Sequence, residues 1–349
     1  MIISNGPLTP ARAPITPVPA RPRRLVFAGE AIVDVVMRVP GLPPRGGDLL
    51  ATAAEVAVGG GFNVMAAAAR QGMPVLYAGG HGAGHWGDLV RAALAAEGVG
   101  LLRPPDPSAD TGFDVALVEP DAERTFVTAL GAESVTGAGG WDVVPAGSGD
   151  AVYVSGYGLA PAGSGPGLGA WAAALPAGPL LFFDPGPLVA QITAEVLEPV
   201  LARCDWLSGN AREAALLTGV TPEEAAPRLL ARTARANVIV RLGPDGCLLA
   251  TRDHAPPDHL APRDHAPPDH LAPRDHAPPD HIPAPTVRAV DTTGAGDAHS
   301  GVFLAALADG LPPADAARRA NAAAALAVTR PGPATSPTRA ELDAWLARR

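Results

Sequence analysis

Five short, almost continuous apolar runs recur along this chain with room for helices between them. They are Leu25-Val26-Phe27-Ala28-Gly29, Val75-Leu76-Tyr77-Ala78-Gly79, Ala151-Val152-Tyr153-Val154, Leu180-Leu181-Phe182-Phe183-Asp184 and Val238-Ile239-Val240-Arg241-Leu242. A strand without polar alternation is buried on both faces, which is the condition of a parallel strand covered by helices. The stretches 61–71, 88–97, 165–175, 189–202, 211–218 and 222–235 read as those helices, the first closed by Gly72. The expectation is an α/β fold: a doubly wound, mainly parallel sheet with helices on both faces. Ligands in such sheets bind beyond the carboxyl ends of the strands. Asp34, Gly60, Asn210, Gly243 and Asp297 all follow predicted strands or their turns.

Two segments break the alternation. Residues 31–58 and 112–130 carry Val/Ala/Thr/Phe runs with turn signals at Pro43-Pro44, Gly46-Gly47 and Pro120-Asp121, and they read as short antiparallel strands of a small second β layer. Residues 1–23 are punctuated by prolines and lack a continuous apolar core. They read as a disordered extension rather than a signal peptide, ahead of one domain over 24–349. No apolar run approaches the roughly 20 residues of a membrane span.

Composition removes several classes. Hydrophobic residues make up 47% and charged ones only 17%, which argues for a folded globule. A net charge of −9 opposes a nucleic-acid partner. Two cysteines, Cys204 and Cys247, fit a reducing cytoplasm rather than a disulfide framework. The chain contains no lysine. That excludes Walker-A ATPases, protein kinases, Schiff-base enzymes and Ser-x-x-Lys hydrolases, each of which needs one. Phosphoryl transfer supported by backbone amides, a metal and arginine is still allowed.

An eleven-residue unit, Arg-Asp-His-Ala-Pro-Pro-Asp-His-Leu-Ala-Pro, occurs twice from Arg252 and a third time with an Ile-Pro-Ala ending at Ala284. Three prolines per copy forbid the continuous helix that an eleven-residue period would otherwise suggest. Six of the nine histidines lie here, and histidine-rich tracts can bind metal. The preferred reading is a duplicated hairpin loop, polar and extended, between strand Cys247-Leu248-Leu249 and strand Thr286-Val287.

The chemistry is concentrated in residues 290–301, Val-Asp-Thr-Thr-Gly-Ala-Gly-Asp-Ala-His-Ser-Gly. A short apolar strand leads into a turn at Gly294-Ala295-Gly296, and Asp297 then opens an alanine-rich helix. Unpaired amides and the positive end of a helix dipole make such a turn an anion hole. A carboxylate there is a poor anion ligand but a good acceptor for the proton of an attacking hydroxyl. The alternative is an ordinary glycine turn with Asp297 as a helix cap.

Asp-Thr-Thr-Gly-Ala-Gly-Asp, residues 291–297, resembles the C-terminal signature of the ribokinase-like (PfkB) family of sugar and nucleoside kinases. Gly59-Gly60-Gly61-Phe62-Asn63, followed by Ala66 to Ala69 and Arg70-Gln71-Gly72, resembles its N-terminal signature. The resemblance runs from about Arg24 to the C-terminus, interrupted by the repeat. It implies ATP-dependent phosphorylation of a hydroxymethyl group with Asp297 as general base and Gly294, Ala295 and Gly296 in the anion hole. Asp34, Gly59, Gly60, Gly61 and Asn63 would bind the sugar, under a β lid formed by 31–58 and 112–130 that often pairs two copies. Asn210 and Glu213 would organise Mg²⁺ at the phosphates, though the spacing by itself also fits a plain helix cap. Arg241, Gly243 and Gly246 would form the nucleotide loop with Gly296, and Asn321 would meet the adenine. Asp291, Thr293, Ala327, Arg330, Gly332 and Ser336 match a monovalent-cation site, for K⁺.

The departures bear on substrate. Ribokinase has a lysine where Gly60 stands and an asparagine where Ile32 stands. Ser155-Gly156-Tyr157-Gly158 occupies the place of an expected glutamate. His299 replaces a usual Phe and His85 a common Asp, and either reads as a substrate contact or a hydrogen-bonded structural histidine. Two further readings stay open: a nucleoside kinase of the same family, and a non-catalytic sugar or nucleotide sensor.

Overall fold

Side chains alternate across a strand, so a strand apolar at every position feeds two cores at once. A computed structural model of the chain, describing residues 21–121, 123–136, 140–252 and 278–349, is built around that consequence. The first half runs β1 (Arg24–Ala28), β2 (Ala31–Arg38), β3 (Ala53–Gly60), α1 (Phe62–Arg70), β4 (Val75–Tyr77), α2 (His85–Ala96), β5 (Gly100–Leu101), β6 (Phe113–Val118) and β7 (Arg124–Ala129). Then come β8 (Asp150–Ser155), α3 (Gly156–Leu159), α4 (Gly165–Ala174), β9 (Leu180–Asp184), α5 (Ala194–Arg203), β10 (Trp206–Asn210), α6 (Ala211–Thr218) and α7 (Pro222–Arg232). The chain ends with β11 (Asn237–Arg241), β12 (Cys247–Ala250), β13 (Asp280–Ile282), α8 (Ala295–Ala308), α9 (Pro313–Ala327) and α10 (Arg339–Leu346).

Nine strands form the main sheet in the order β13-β12-β11-β10-β9-β8-β1-β4-β5, parallel except where β12 and β13 pair antiparallel at one edge. Strand order runs outward from β1 toward β4 and from β8 toward β11. The two directions of winding therefore diverge between β1 and β8, a switch point where ligands bind. Leu25 and Phe27 face one core with Tyr77, Tyr153, Phe182 and Phe303, while Val26 and Ala28 face the other with Val154, Leu181 and Phe183. Phe27, Tyr153 and Phe182 stack across three strands at 5.0 and 5.3 Å between centroids, and Phe303 of α8 joins at 6.3 Å. That ladder seats α8, the helix with the anion-hole sequence, on the sheet.

The segments that broke the alternation form a separate sheet, β3-β2-β6-β7. It is mixed rather than antiparallel throughout. β2 pairs antiparallel with β3 but parallel with β6, a register that sets Asp34 beside Asp114. One face packs on α2, where Phe113 meets Trp86 at 5.7 Å.

The edge strand differs from expectation. Asp280, His281 and Ile282, inside the third repeat copy, pair with β12, and residues 286–287 are not a strand. The physical reason is Ile282: its side chain is 3% exposed within the core. Pro283 and Pro285 follow it and cannot donate to a ladder. Asp280–Ile282 of the repeat's last copy is thus part of the fold. Residues 253–277, and with them the loop and metal-binding readings of the other copies, lie outside the described residues. So does the predicted extension apart from 21–23.

Removing residues 253–274 rejoins Arg252 to Asp275 with the same local sequence, and loop entropy changes by only about 0.6 kcal/mol per halving. Chemical denaturation of that variant should give a stability within about 1 kcal/mol of the intact chain. Ile282→Ala, by contrast, should cost about 2–5 kcal/mol, as buried isoleucine truncations do.

Candidate active site

The α8 N-terminus has the geometry of an anion hole. Its N-cap, Gly294, has φ +71°, and a Cβ there would sit 2.7 Å from the Pro333 carbonyl, so only glycine makes this turn. The Ala295 amide reaches back to Thr292 O at 3.3 Å, whereas the amides of Gly296 and Asp297 have no partner among the described residues. Gly294 shapes the turn that carries them. Asp297 lies in the first turn of α8 and accepts a hydrogen bond from Asn63 Nδ2 at 3.1 Å. Burial raises its pKa to about 6; Asn63 and Arg241 hold it down and Asp184 pushes it up. A carboxylate with that pKa is ionised near neutrality yet basic enough to take a proton.

On the second-sheet side, Asp34 projects over Gly59, where a Cβ would come within 2.1 Å of Asp34 Oδ2. Gly60 and Gly61 carry the chain from β3 into α1, placing Asn63 in the first turn of that helix. Burial, then the charges of Asp114 and Asp297, raise the Asp34 pKa to about 7. Two acidic residues at this end escaped the sequence reading. Asp114 is the register neighbour of Asp34. Glu30, at the end of β1, accepts from Ser155 Oγ at 3.1 Å, and burial lifts its pKa to about 8. A carboxylate therefore does stand near the end of β8, delivered by Glu30 instead of by the segment after that strand. The signal that could have found it is its place directly after the first buried strand.

Arg241 ends β11 and lies under the anion hole. Its Nη1 donates to Asp184 Oδ2 at 2.9 Å, Ser208 Oγ at 2.9 Å and Ser300 Oγ at 3.1 Å, and Nη2 lies 3.5 Å from Glu213. Asn210 and Glu213 form a reciprocal helix cap: Glu213 N donates to Asn210 Oδ1 at 2.9 Å and Asn210 N to Glu213 Oε2 at 2.7 Å. Their spacing thus serves α6 first. Asp184, Glu213 and Asp297 all interact electrostatically with this one guanidinium, and among the described residues no three His, Cys, Asp or Glu side chains are grouped to hold a metal ion. Gly243 and Gly246 bracket a tight turn after β11, beside an open cleft lined by Asn210, Arg212, Glu223, Arg241 and Asp245. Asn321 is 4% exposed and its Nδ2 donates to the Ile282 carbonyl at 2.8 Å, so it fastens α9 to β13.

The residues matched to a monovalent cation make contacts of their own. Asp291 Oδ1 accepts from Thr293 N at 2.9 Å, from Thr293 Oγ1 at 2.7 Å and from the Arg124 guanidinium of β7. Its Oδ2 accepts from Gly332 N at 3.2 Å, and the Ala327 carbonyl accepts from Thr335 Oγ1 at 3.0 Å. Arg330 turns its side chain to Glu341, and Ser336 Oγ is buried without a partner. A guanidinium already fills the role of counter-ion to Asp291. The two histidines separate as well. His85 is exposed at the start of α2, against Trp86. His299 stacks on Phe303 with neither ring nitrogen hydrogen-bonded, and burial lowers its pKa to about 3, so it is a neutral packing residue.

Known proteins share this arrangement. The profile of the pfkB family carbohydrate kinases matches residues 22–340. The "Uncharacterized sugar kinase YegV" of Escherichia coli (strain K12) is 32% identical over 335 residues, covering 91% of this chain and 92% of that protein. The crystal structure of ribokinase from Thermotoga maritima superposes with a TM-score of 0.74 at 24% identity, covering 93% of this chain and 99% of the other. The aminoimidazole riboside kinase of Salmonella enterica, complexed with aminoimidazole riboside and an ATP analog, gives 0.70 at 23% identity, over 93% of this chain and 100% of the other. A doubly wound fold, two free amides at a Gly-shaped helix start and a basic Asp297 beside them accompany a match that spans nearly the whole chain: it belongs to the pfkB family of carbohydrate kinases.

Proposed function

We propose that the protein transfers the γ-phosphoryl group of ATP to a hydroxymethyl group of a sugar or sugar-like molecule. The observation that carries this reading is Asp297, linked by hydrogen bond to Asn63 and followed backward by two unpartnered amides. Asp34 holds substrate hydroxyls, which leaves the hydroxymethyl group facing Asp297. Asp297 accepts the hydroxyl proton as the oxygen attacks. The amides of Gly296 and Asp297 take up charge on the transferring group, the form of electrostatic stabilisation that contributes most in such transfers. Asn63 fixes the rotamer of Asp297, so the base does not swing away from the hydroxyl. Mg²⁺, held with ATP on the Asn210–Glu213 side, would offset phosphate charge. Closing the second sheet over the sugar excludes water as a competing acceptor. That sheet also leaves Phe126 and Val127 of β7 more than half exposed, which supports pairing of two copies through it.

Coupled ADP release over a panel of sugars and nucleosides tests the reading, and no release above the ATP-only background with any acceptor overturns it. Asp297→Asn should lower kcat about 10²–10⁴-fold with the fold intact. Since Asp297 acts when ionised, the wild-type rate should climb as pH rises through about 6 and level off above it. A profile flat from pH 5 to 8 would remove Asp297 as base. Because Arg124 already neutralises Asp291, rates in potassium and in tetramethylammonium salts should agree within about two-fold, while Arg124→Met should become potassium-stimulated. Strong stimulation of the wild type would mean that Arg124 yields its place to the ion.

A further inference from the structure

The second sheet carries a carboxylate that neither the fold nor the cap chemistry uses. Asp114 stands beside Asp34 in the parallel register of β2 and β6, and neighbouring strands lie about 4.8 Å apart. Both residues are 8% exposed. Asp114 Oδ1 is buried with no hydrogen-bond partner, and so is Oδ1 of Asn63, itself 6% exposed and bonded through Nδ2 to Asp297. A buried polar atom without a partner costs about 1–3 kcal/mol, so its persistence needs an occupant that satisfies it. The charges that act on Asp34 are those of Asp114 and Asp297, both negative. No cation is among the charges that shift Asp34, and Arg241, which acts on Asp297, is already tied to Asp184 and Glu213. The wall facing a substrate therefore offers acceptors and asks for donors.

We propose that Asp114 is a specificity-determining residue of this kinase: with Asp34 it forms a two-carboxylate seat for adjacent hydroxyls, selecting uncharged polyols and rejecting sugar acids and sugar phosphates. The inference rests on the phosphotransfer reading above and adds the chemical class of the acceptor. Each hydroxyl donates to one carboxylate, and the Asn63 oxygen takes a third donor near the reacting hydroxymethyl. A carboxylate or phosphate on the substrate meets like charge with no cation to answer it. Burial raises the Asp114 pKa to about 6, so in the ligand-free protein its ionised form opposes folding. That penalty is absent below the ordinary carboxylate range, near pH 4, and complete above about pH 6.

The test compares wild type, Asp114→Asn and Asp114→Ala on neutral aldoses, ketoses and polyols and on the corresponding sugar acids. Wild type should use neutral acceptors and turn over sugar acids at least about 100-fold less efficiently. Asp114→Asn should raise the sugar KM about 10-fold or more while kcat changes little, the loss expected for a charged hydrogen bond made equally in ground and transition states. An unchanged KM in both variants, or a wild-type preference for sugar acids, overturns the proposal. Thermal unfolding with sugar and without ATP separates this from the phosphotransfer reading. Neutral sugars should raise the midpoint of wild type and Asp297→Asn, whether or not turnover is seen, and Asp114→Asn should need about 10-fold more sugar for the same shift. No shift in wild type, or an equal shift in Asp114→Asn at the same sugar concentration, refutes the seat. At pH 8 without sugar, Asp114→Asn should be at least as stable as wild type. A merely structural aspartate would leave the variant less stable.

Discussion

One guanidinium holds the catalytic end of this protein together. Arg241 reaches Asp184 at the end of β9, Ser208 on β10, Glu213 on α6 and Ser300 on α8. Burial alone would pull its pKa down, but Asp184 and Glu213 outweigh that and hold the charge firmly in place. The contacts use the planar fork of donors that an arginine has and an ammonium lacks. Losing it would strand two buried carboxylates, a far larger cost than the pair contributes when intact. The start of α8, and with it the free amides, is therefore fixed from beneath by charge as it is fixed laterally by the aromatic ladder ending at Phe303.

Around that anchor the site divides by polarity. The phosphate side is built from backbone N–H groups, the sugar side from carboxylates. Asp297 at about 6, Asp34 at about 7 and Glu30 at about 8 are all raised first by burial. Folding has brought these acids together, and desolvation makes their charged forms costly. Unmet acceptors at Asp114 and Asn63 belong to the same economy. Hydroxyl groups that donate to these oxygens would recover that cost, the basis of the polyol preference proposed above.

What the sequence disclosed follows from how local each signal is. β1, β4, β8, β9 and β11 were legible because continuous apolar runs have few other uses, and the α8 turn because Gly294, Gly296 and Asp297 act within one short segment. Asp114 was not legible: in a strand that alternates polar and apolar, an aspartate looks like a solvated face until the partner strand is known. Glu30 and Arg124 likewise acquire meaning only from residues about 125 and 167 positions away. Ile282 was hidden by its repeat, whose proline content suggested a loop while one apolar side chain was enough to make an edge strand. Asn210 and Glu213 show the converse, since the plain helix cap that their spacing allowed is the contact they make at the start of α6.

The remaining link joins the second sheet to the anion hole. β2 carries Asp34, β6 carries Asp114 and β7 carries Arg124, and the three strands are hydrogen-bonded in one register. Arg124 ends on Asp291, three residues before Gly294. Asp34, Asp114 and the cation paired with Asp291 thus ride on the same layer. Because a hydrogen-bonded sheet resists sliding by single residues, Asp34, Asp114 and the Arg124–Asp291 pair keep a fixed relation to one another.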